Sequence, residues 1–299
     1  MDRGRRDAVW SLDIVEDLFV EVGRTLRADG DKPHWIAGRI WRTARADRAL
    51  SIWAERVRPL AASMTYRLIV RVLQERSFLR TDLRREFTKT VGRDRPKWKT
   101  ADPAQIEVWV SEYKYGQLVA GLRVSDPSMR QHGGRESERT GALRPTVAAA
   151  MVRLAGEPNG VLLDPTCGSG TILGEAVAHG WQAVGRDIDP EAVAASRRNV
   201  PVANVGECDA RRLDLPDNAV GACVANLPFG QQYTVQGEAD EWLRTVLAEM
   251  ARVTMPGGHV VLLVPGLPHR TLSSNLRLRD KYPIRLLGTK TTIWVLDRV

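Results

Sequence analysis

From Leu12 to Leu26 the apolar residues Leu12, Val15, Leu18, Phe19, Val22 and Leu26 recur at three- and four-residue intervals, predicting an amphipathic helix closed by Gly30 and Pro33. His34 to Trp41 reads as a short strand, and Leu50 to Leu60 as a helix that Pro59 disturbs. Tyr66 to Leu73 alternates as a strand, Leu79 to Val91 forms a helix carrying Arg84, Arg85 and Lys89, and Gln105 to Glu112 and Leu118 to Val124 are strands. Between helix and strand, GRDRPKWKTADP (92–103) holds four cations and Trp98, whose indole either stacks on a base or caps the core of this region. Residues 125–139, SDPSMRQHGGRESER, are polar and glycine-containing, as a linker or a loop over a site would be.

Beyond Thr140 the rhythm becomes strand and helix in alternation. Helices are expected at 145–154, 170–178, 190–199 and 238–253, and strands at 160–164, 181–186, 219–226 and 259–265. A short third strand precedes Asp209, and two closing strands cover 284–287 and 291–296. The expected fold class is α/β: a seven-stranded, mostly parallel sheet at 136–299, with a smaller α+β domain at 1–135.

Composition narrows the options. With 43% apolar and 27% charged residues and no run of about 18 apolar residues, nothing is built to cross a bilayer. MDRGRRDAVW lacks the apolar stretch of a secretory signal, so a cytoplasmic location is expected. Cys167, Cys208 and Cys223 are far apart and unpaired in sequence, and the five histidines never fall at ligand spacing, so neither disulfide nor metal is expected. The net charge of +8 is unevenly placed: residues 1–135 hold 27 Lys+Arg against 18 Asp+Glu, whereas 136–299 hold 17 against 18. That asymmetry points to a phosphate-binding footprint on the N-terminal part, the bland alternative being arginine-rich solvation of surfaces.

The strongest chemical signal is VLLDPTCGSGTIL (161–173): an apolar strand ending in Asp164, a turn bearing Gly168 and Gly170, then a helix. The glycines let backbone approach a ligand closely and the helix turns its N–H groups toward the loop, so a small charged cofactor belongs there. Thr166, Cys167 and Thr171 share that turn. The loop has neither GxGxxG nor GxxxxGK[ST], which disfavours a nucleoside triphosphate. Asp187 ends the next strand, where a carboxylate accepts from two ribose hydroxyls; Ile188 would flank an adenine, and Asp189 caps the helix begun by Pro190. Asp209, with Ala210 beside it, would accept from the adenine amino group after the third strand.

Asn226-Leu227-Pro228-Phe229-Gly230 follows the fourth strand. An exocyclic purine amine is a poor nucleophile because its lone pair is delocalised, so acceptors are needed on its two N–H bonds. The Asn226 side-chain oxygen and the Leu227 carbonyl can provide them; Pro228 holds Leu227 extended, and Phe229 can stack on an extracted base. Cys167 or Cys223 as nucleophile in a cytosine C5 route is disfavoured, since neither follows a proline after the fourth strand.

With Asp164, Gly168, Gly170, Asp187, Asp209 and Asn226–Phe229 in this order, residues 140–299 resemble the class I methyltransferases of the Asn-Pro-Pro-Tyr type, here NLPFG. Leu227 stands for a proline and Phe229 for a tyrosine, so the ring carries no hydroxyl. The resemblance implies S-adenosylmethionine as cofactor, with Thr140 to Leu154, including Leu143, near its methionine end. Less closely, residues 60–125 are similar to a THUMP domain, the RNA-binding module joined to this methyltransferase type in enzymes that make N2-methylguanosine in tRNA or 23S rRNA. Residues 1–55 would then stand for a truncated ferredoxin-like element. The expected reaction is in-line methyl transfer to guanine N2, most simply in tRNA, with no general base named. Adenine N6 methylation of DNA or RNA, glutamine methylation of a protein, and a non-catalytic RNA-binding protein with a vestigial pocket stay open.

Overall fold

The computed structural model describes residues 12–28, 30–72, 78–113, 116–125, 129, 143–228, 236–286 and 288–299. The chain forms two compact units, Glu16–Met129 and Met1–Val15 with Arg130–Val299. Among the described residues, no helix is long and apolar enough to cross a membrane. Most of the polar segment at 125–139 lies outside the described residues.

The smaller unit runs β1 (Phe19–Leu26), α1 (Pro33–Ile40), α2 (Thr43–Arg56), β2 (Thr65–Arg71), α3 (Arg80–Asp94), β3 (Lys99–Thr100), β4 (Ile106–Glu112) and β5 (Gln117–Arg123). Its strands lie in the order β1-β5-β4-β2-β3, with β2 parallel to β3 and β4. Three expectations fail near the N-terminus. The helix expected over Leu12 to Leu26 is instead strand β1: Val20 and Val22 alternate inward, and a bulge between Glu21 and Gly23 breaks the period-two pattern into one that mimics a helix. Pairing with β5 decides the outcome, and Gly23 is needed because a Cβ there would lie 2.5 Å from the Ile40 carbonyl oxygen.

His34 to Trp41 is not a strand but lies in α1, where Pro33 starts the element rather than ending the previous one and buries Ile36, Ala37 and Ile40. Helix α2 begins at Thr43 and ends at Arg56, not 50–60, because Ala46, Ala49, Leu50 and Trp53 form its buried face with small residues leading. Strands β2, β4 and β5 and α3 match the sequence pattern to within a few residues, whereas the two-residue β3 falls in the stretch 92–103 expected to be a loop, drawn into the sheet by its pairing with Thr65 and Tyr66. Trp98 packs partly buried against the core, with its ring 6.1 Å from that of Tyr66. Trp53 and Phe87 anchor that core, and the Trp53 indole donates to the Arg123 carbonyl at 2.9 Å.

The larger unit runs α4 (Pro145–Leu154), β6 (Val161–Asp164), α5 (Thr171–Ala178), β7 (Gln182–Asp187), α6 (Pro190–Asn199), β8 (Asn204–Glu207), β9 (Val220–Asn226), α7 (Gln236–Val253), β10 (Thr254–Val264), β11 (Leu276–Leu286) and β12 (Thr289–Arg298). Its seven strands are ordered β11-β12-β10-β9-β6-β7-β8. All neighbours are parallel except that β12 runs against both β10 and β11. The near-continuous apolar run of β9 is buried throughout, as a strand covered on both faces requires. One apolar layer includes Leu162, Ile172, Leu173 and Ile293; the other includes Leu163, Leu227, Leu243, Leu247 and Leu296.

Phe87→Ala should cost about 3–5 kcal/mol, because the fully buried ring leaves a cavity between α3 and the sheet. Urea denaturation should register it as an earlier transition, and an unchanged midpoint would contradict the packing.

Candidate active site

After β6 the chain passes to β7 and β8 on one side, then returns to β9 and β10 on the other. A crevice outside the carboxyl ends of the strands opens at such a reversal. Leu163 pairs with Cys223 and Leu163 with Val184, so β6, β7 and β9 point the same way, and their last residues, Asp164, Asp187 and Asn226, share one edge. With strands about 4.8 Å apart and about 3.3 Å of rise per residue, the Asn226 and Asp164 Cα atoms are roughly 8 Å apart. The two motifs therefore meet at adjacent strand ends.

The turn after Asp164 is held by Asp187. Its carboxylate accepts from the Gly168 N–H at 2.8 Å and from the Asp189 N–H at 3.0 Å, leaving lone pairs on both oxygens. The Cys167 N–H donates to the Arg186 carbonyl at 2.9 Å, and the Asn199 amide donates to the Ser169 carbonyl at 2.9 Å. Gly168 has φ +52° with open space where a Cβ would stand; Gly170, at φ +84°, sits where a Cβ would meet Ser196 Oγ at 2.6 Å. One glycine leaves room for a ligand and the other lets helix α6 pack close.

Asp164 is buried, with its Oδ1 accepting from the Thr166 N–H at 3.1 Å. Burial pushes its carboxyl up to about 8 against that hydrogen bond, and the Asp187 charge adds to the rise. Thr166 Oγ1 is buried without a hydrogen-bond partner among the described residues. A carboxyl held away from its ionised state, an orphaned hydroxyl and an open glycine fit a ligand that brings a positive charge and a hydrogen-bonding group.

The other expected site residues divide. Ile188 is 65% exposed beside Asp187, where its side chain is available to flank a ligand. Asp189 accepts from the Glu191 N–H at 2.9 Å and caps α6. Asp209 is bound bidentately by Arg211, with contacts of 2.6–3.1 Å, which holds its carboxyl below the ordinary range; an adenine amine would have to share an oxygen with that guanidinium. The Leu143, Ala210 and Leu227 side chains are buried in the apolar layers, so only their main chains can face a ligand. Thr171 opens α5, nearly buried. Thr140 and Phe229 lie outside the described residues.

Neither buried thiol suits nucleophilic attack. Burial pushes Cys223 up to about 12 while it accepts from Thr254 Oγ1 at 3.2 Å, and burial likewise raises Cys167. Sequence reasoning missed Arg186, a buried guanidinium that donates to Asp214 at 2.7 Å and to the Gly185 carbonyl at 2.9 Å, bracing the loop after β8. It missed Asn199 as well. Nothing in the pattern distinguishes either from a surface polar residue.

This sheet, with its reversed β12 and its chemistry at the β6 and β9 ends, defines a Rossmann-like methyltransferase fold. The chain belongs to the UPF0020 family, RMKL-like methyltransferase domain, whose model matches residues 132–282. A tRNA (guanine(10)-N2)-dimethyltransferase of Methanothermobacter thermautotrophicus is 32% identical over 171 residues, covering 53% of this chain and 50% of that protein. The human U6 snRNA (guanine-N(2))-methyltransferase THUMPD2 is 33% identical over 157 residues, covering 48% of this chain and 30% of that protein. The chain thus spans half or less of the length of these relatives. TrmN from Thermus thermophilus shares the fold with a TM-score of 0.76 at 22% identity, covering 97% of this chain and 86% of that one.

The raised Asp164 carboxyl has a consequence for the ligand-free protein. The folded state holds a proton that the unfolded chain releases near pH 4, so this contribution to stability is full below that pH and lost as pH rises towards 8. Between pH 5.5 and 7.5 the stability difference between wild type and Asp164→Asn should shift by about 1 kcal/mol per pH unit. Urea unfolding at stepped pH measures it; parallel profiles would mean the carboxyl is solvated.

Proposed function

We propose that this chain is an S-adenosylmethionine-dependent RNA methyltransferase that modifies the exocyclic N2 of guanine, with tRNA as its RNA and the cytoplasm as its place of action. The observation that carries the reading is the placement of Asn226 on the same strand-end edge as the Asp164 turn. S-adenosylmethionine supplies a methyl group on a cationic sulfur that leaves as a neutral thioether. Asp164 and the Gly168 turn would hold its charged methionine part, Asp187 its ribose hydroxyls, and Ile188 its adenine face.

The Asn226 side-chain oxygen and the Leu227 carbonyl accept the two N–H bonds of the target amine. They favour a pyramidal nitrogen whose lone pair is free for attack, and they act more strongly in that geometry than in the planar ground state. Burial of the Leu227 side chain fixes where its carbonyl points. Asn226 cannot accept a proton, so the product loses one to water after transfer. Phe229 would stack on the extracted base.

The smaller unit supplies the RNA grip in this reading, as a THUMP-like module formed by β2, α3, β4 and β5. The excess of Lys and Arg within residues 16–129, 22 against 15 Asp+Glu, supports it, as do the RNA substrates in the names of the relatives. Trp98, packed against the core, is left out of base stacking.

Asn226→Ala should bind S-adenosylmethionine with unchanged affinity by calorimetry while transfer to RNA falls by about 10²–10³-fold. Nucleoside mass spectrometry of RNA from cells with and without the gene should find N2-methylguanosine missing in the latter. Loss of N6-methyladenosine instead, or no change in any methylated nucleoside, would defeat the assignment.

A further inference from the structure

The near-neutral charge of residues 136–299, 17 Lys+Arg against 18 Asp+Glu, is not evenly spread. Residues 276–299 hold six Lys+Arg against two Asp+Glu, whereas 136–275 hold eleven against sixteen. The basic stretch is one β-hairpin, β11 and β12, at the edge of the sheet. Its position follows from the register. Asn226 pairs with Leu263, Leu263 with Ile293, and Ile293 with Tyr282, so Tyr282 stands in the row of Asn226 three strands away, roughly 14 Å at the usual strand spacing. Beyond that row the hairpin continues to the pair Arg285–Lys290, three residues further on each strand. It therefore overshoots the strand-end edge by about 10 Å and forms a wall at that side of the sheet.

The wall carries cations on one face. Lys281 pairs with Trp294 and Arg285 with Lys290, and Trp294 packs with the apolar layer that includes Leu227 and the inner face of α7. Lys281 lies 5.8 Å above the Trp294 ring. Arg285 and Lys290 are exposed, stand directly opposite one another, and have no carboxylate partner among the described residues; Arg285 makes only a 3.5 Å contact to the Gly288 carbonyl. Like charges in a cross-strand pair destabilise a hairpin. An anion that meets both side chains would offset that repulsion.

Resting on the function proposed above, we infer that the β11–β12 hairpin tip is an RNA contact of the methyltransferase unit itself, with Arg285 and Lys290 binding backbone phosphates that flank the nucleotide held at Asn226. Phosphate contacts of this kind set register and orientation and carry no sequence information. The hairpin thus aligns the strand, while the acceptors at Asn226 and Leu227 choose the amine.

The test compares wild type with Arg285→Gln/Lys290→Gln and Arg285→Glu/Lys290→Glu, using a tRNA transcript in methyl-transfer kinetics and in fluorescence anisotropy at stepped salt. KM for RNA should rise at least fivefold in the neutral variant and further in the reversed one, with kcat within twofold. The slope of log affinity against log salt should become shallower by about 1.4, the value for two lost single-strand phosphate contacts. S-adenosylmethionine affinity should not move, and the neutral variant should melt no lower than wild type because a repulsive pair is gone. Unchanged KM and salt slope in the charge-reversed protein, or equal competition by an acidic polypeptide for wild type and variants, would overturn the inference. Wild type that binds RNA through these residues without methylating it would sink the proposed reaction and leave the hairpin contact standing; wild type that does not bind RNA would sink both.

Discussion

The two hydrogen bonds accepted by the Asp187 carboxylate are the constraint on which the larger unit's chemistry rests. They join the turn after β6 to the beginning of α6, fixing both sides of the crevice at once. A glycine turn alone has too much conformational freedom to present a defined surface. Anchored at Gly168, it becomes a rigid cradle, and the carboxylate still has lone pairs with which to meet a ligand. Asn199 and Arg186 extend the bracing outward, one to the Ser169 carbonyl and one to the loop after β8. The site is thus organised by polar groups whose partners are mostly main chain, which leaves side-chain variation around it tolerable.

Burial divides the acids and thiols at this edge by role. Asp164 and Asp187 end neighbouring strands; Asp164 is sealed from water and pushed towards its neutral form, whereas Asp187 is half-buried. A cation arriving beside it recovers the Coulomb energy that burial withholds. The same burial silences Cys167 and Cys223, so neither serves as a soft nucleophile. What remains is a surface of fixed acceptors, which in the proposed function orients a reaction whose nitrogen belongs to the other molecule.

Legibility differed sharply between the two units. In the larger one, parallel strands buried on both faces read as continuous apolar runs with turn residues at each end, so the elements fell close to where the chain places them. The closing strands were read too short, because exposed positions of β11 alternate between charge and apolar without a buried run to mark its start. In the smaller unit, the bulge at Glu21–Gly23 turned a strand into an apparent helix, and the short α1 had too few residues for its period to show. Asp209 was legible as an acid in the loop after the third strand, but its capture by Arg211 two residues away was not, since an ion pair depends on rotamers that spacing does not encode.

Leu227 has its side chain in the apolar layer and, in the function proposed here, its chemistry in the carbonyl. That division separates what heredity can vary from what the reaction uses. Replacing one aliphatic group by another changes the filling of the layer but cannot delete an oxygen that every residue possesses. A scan that truncates side chains one by one would record Asn226 and pass over its neighbour, and the contribution of the peptide group would surface only through changes that bend the backbone, such as those at Pro228.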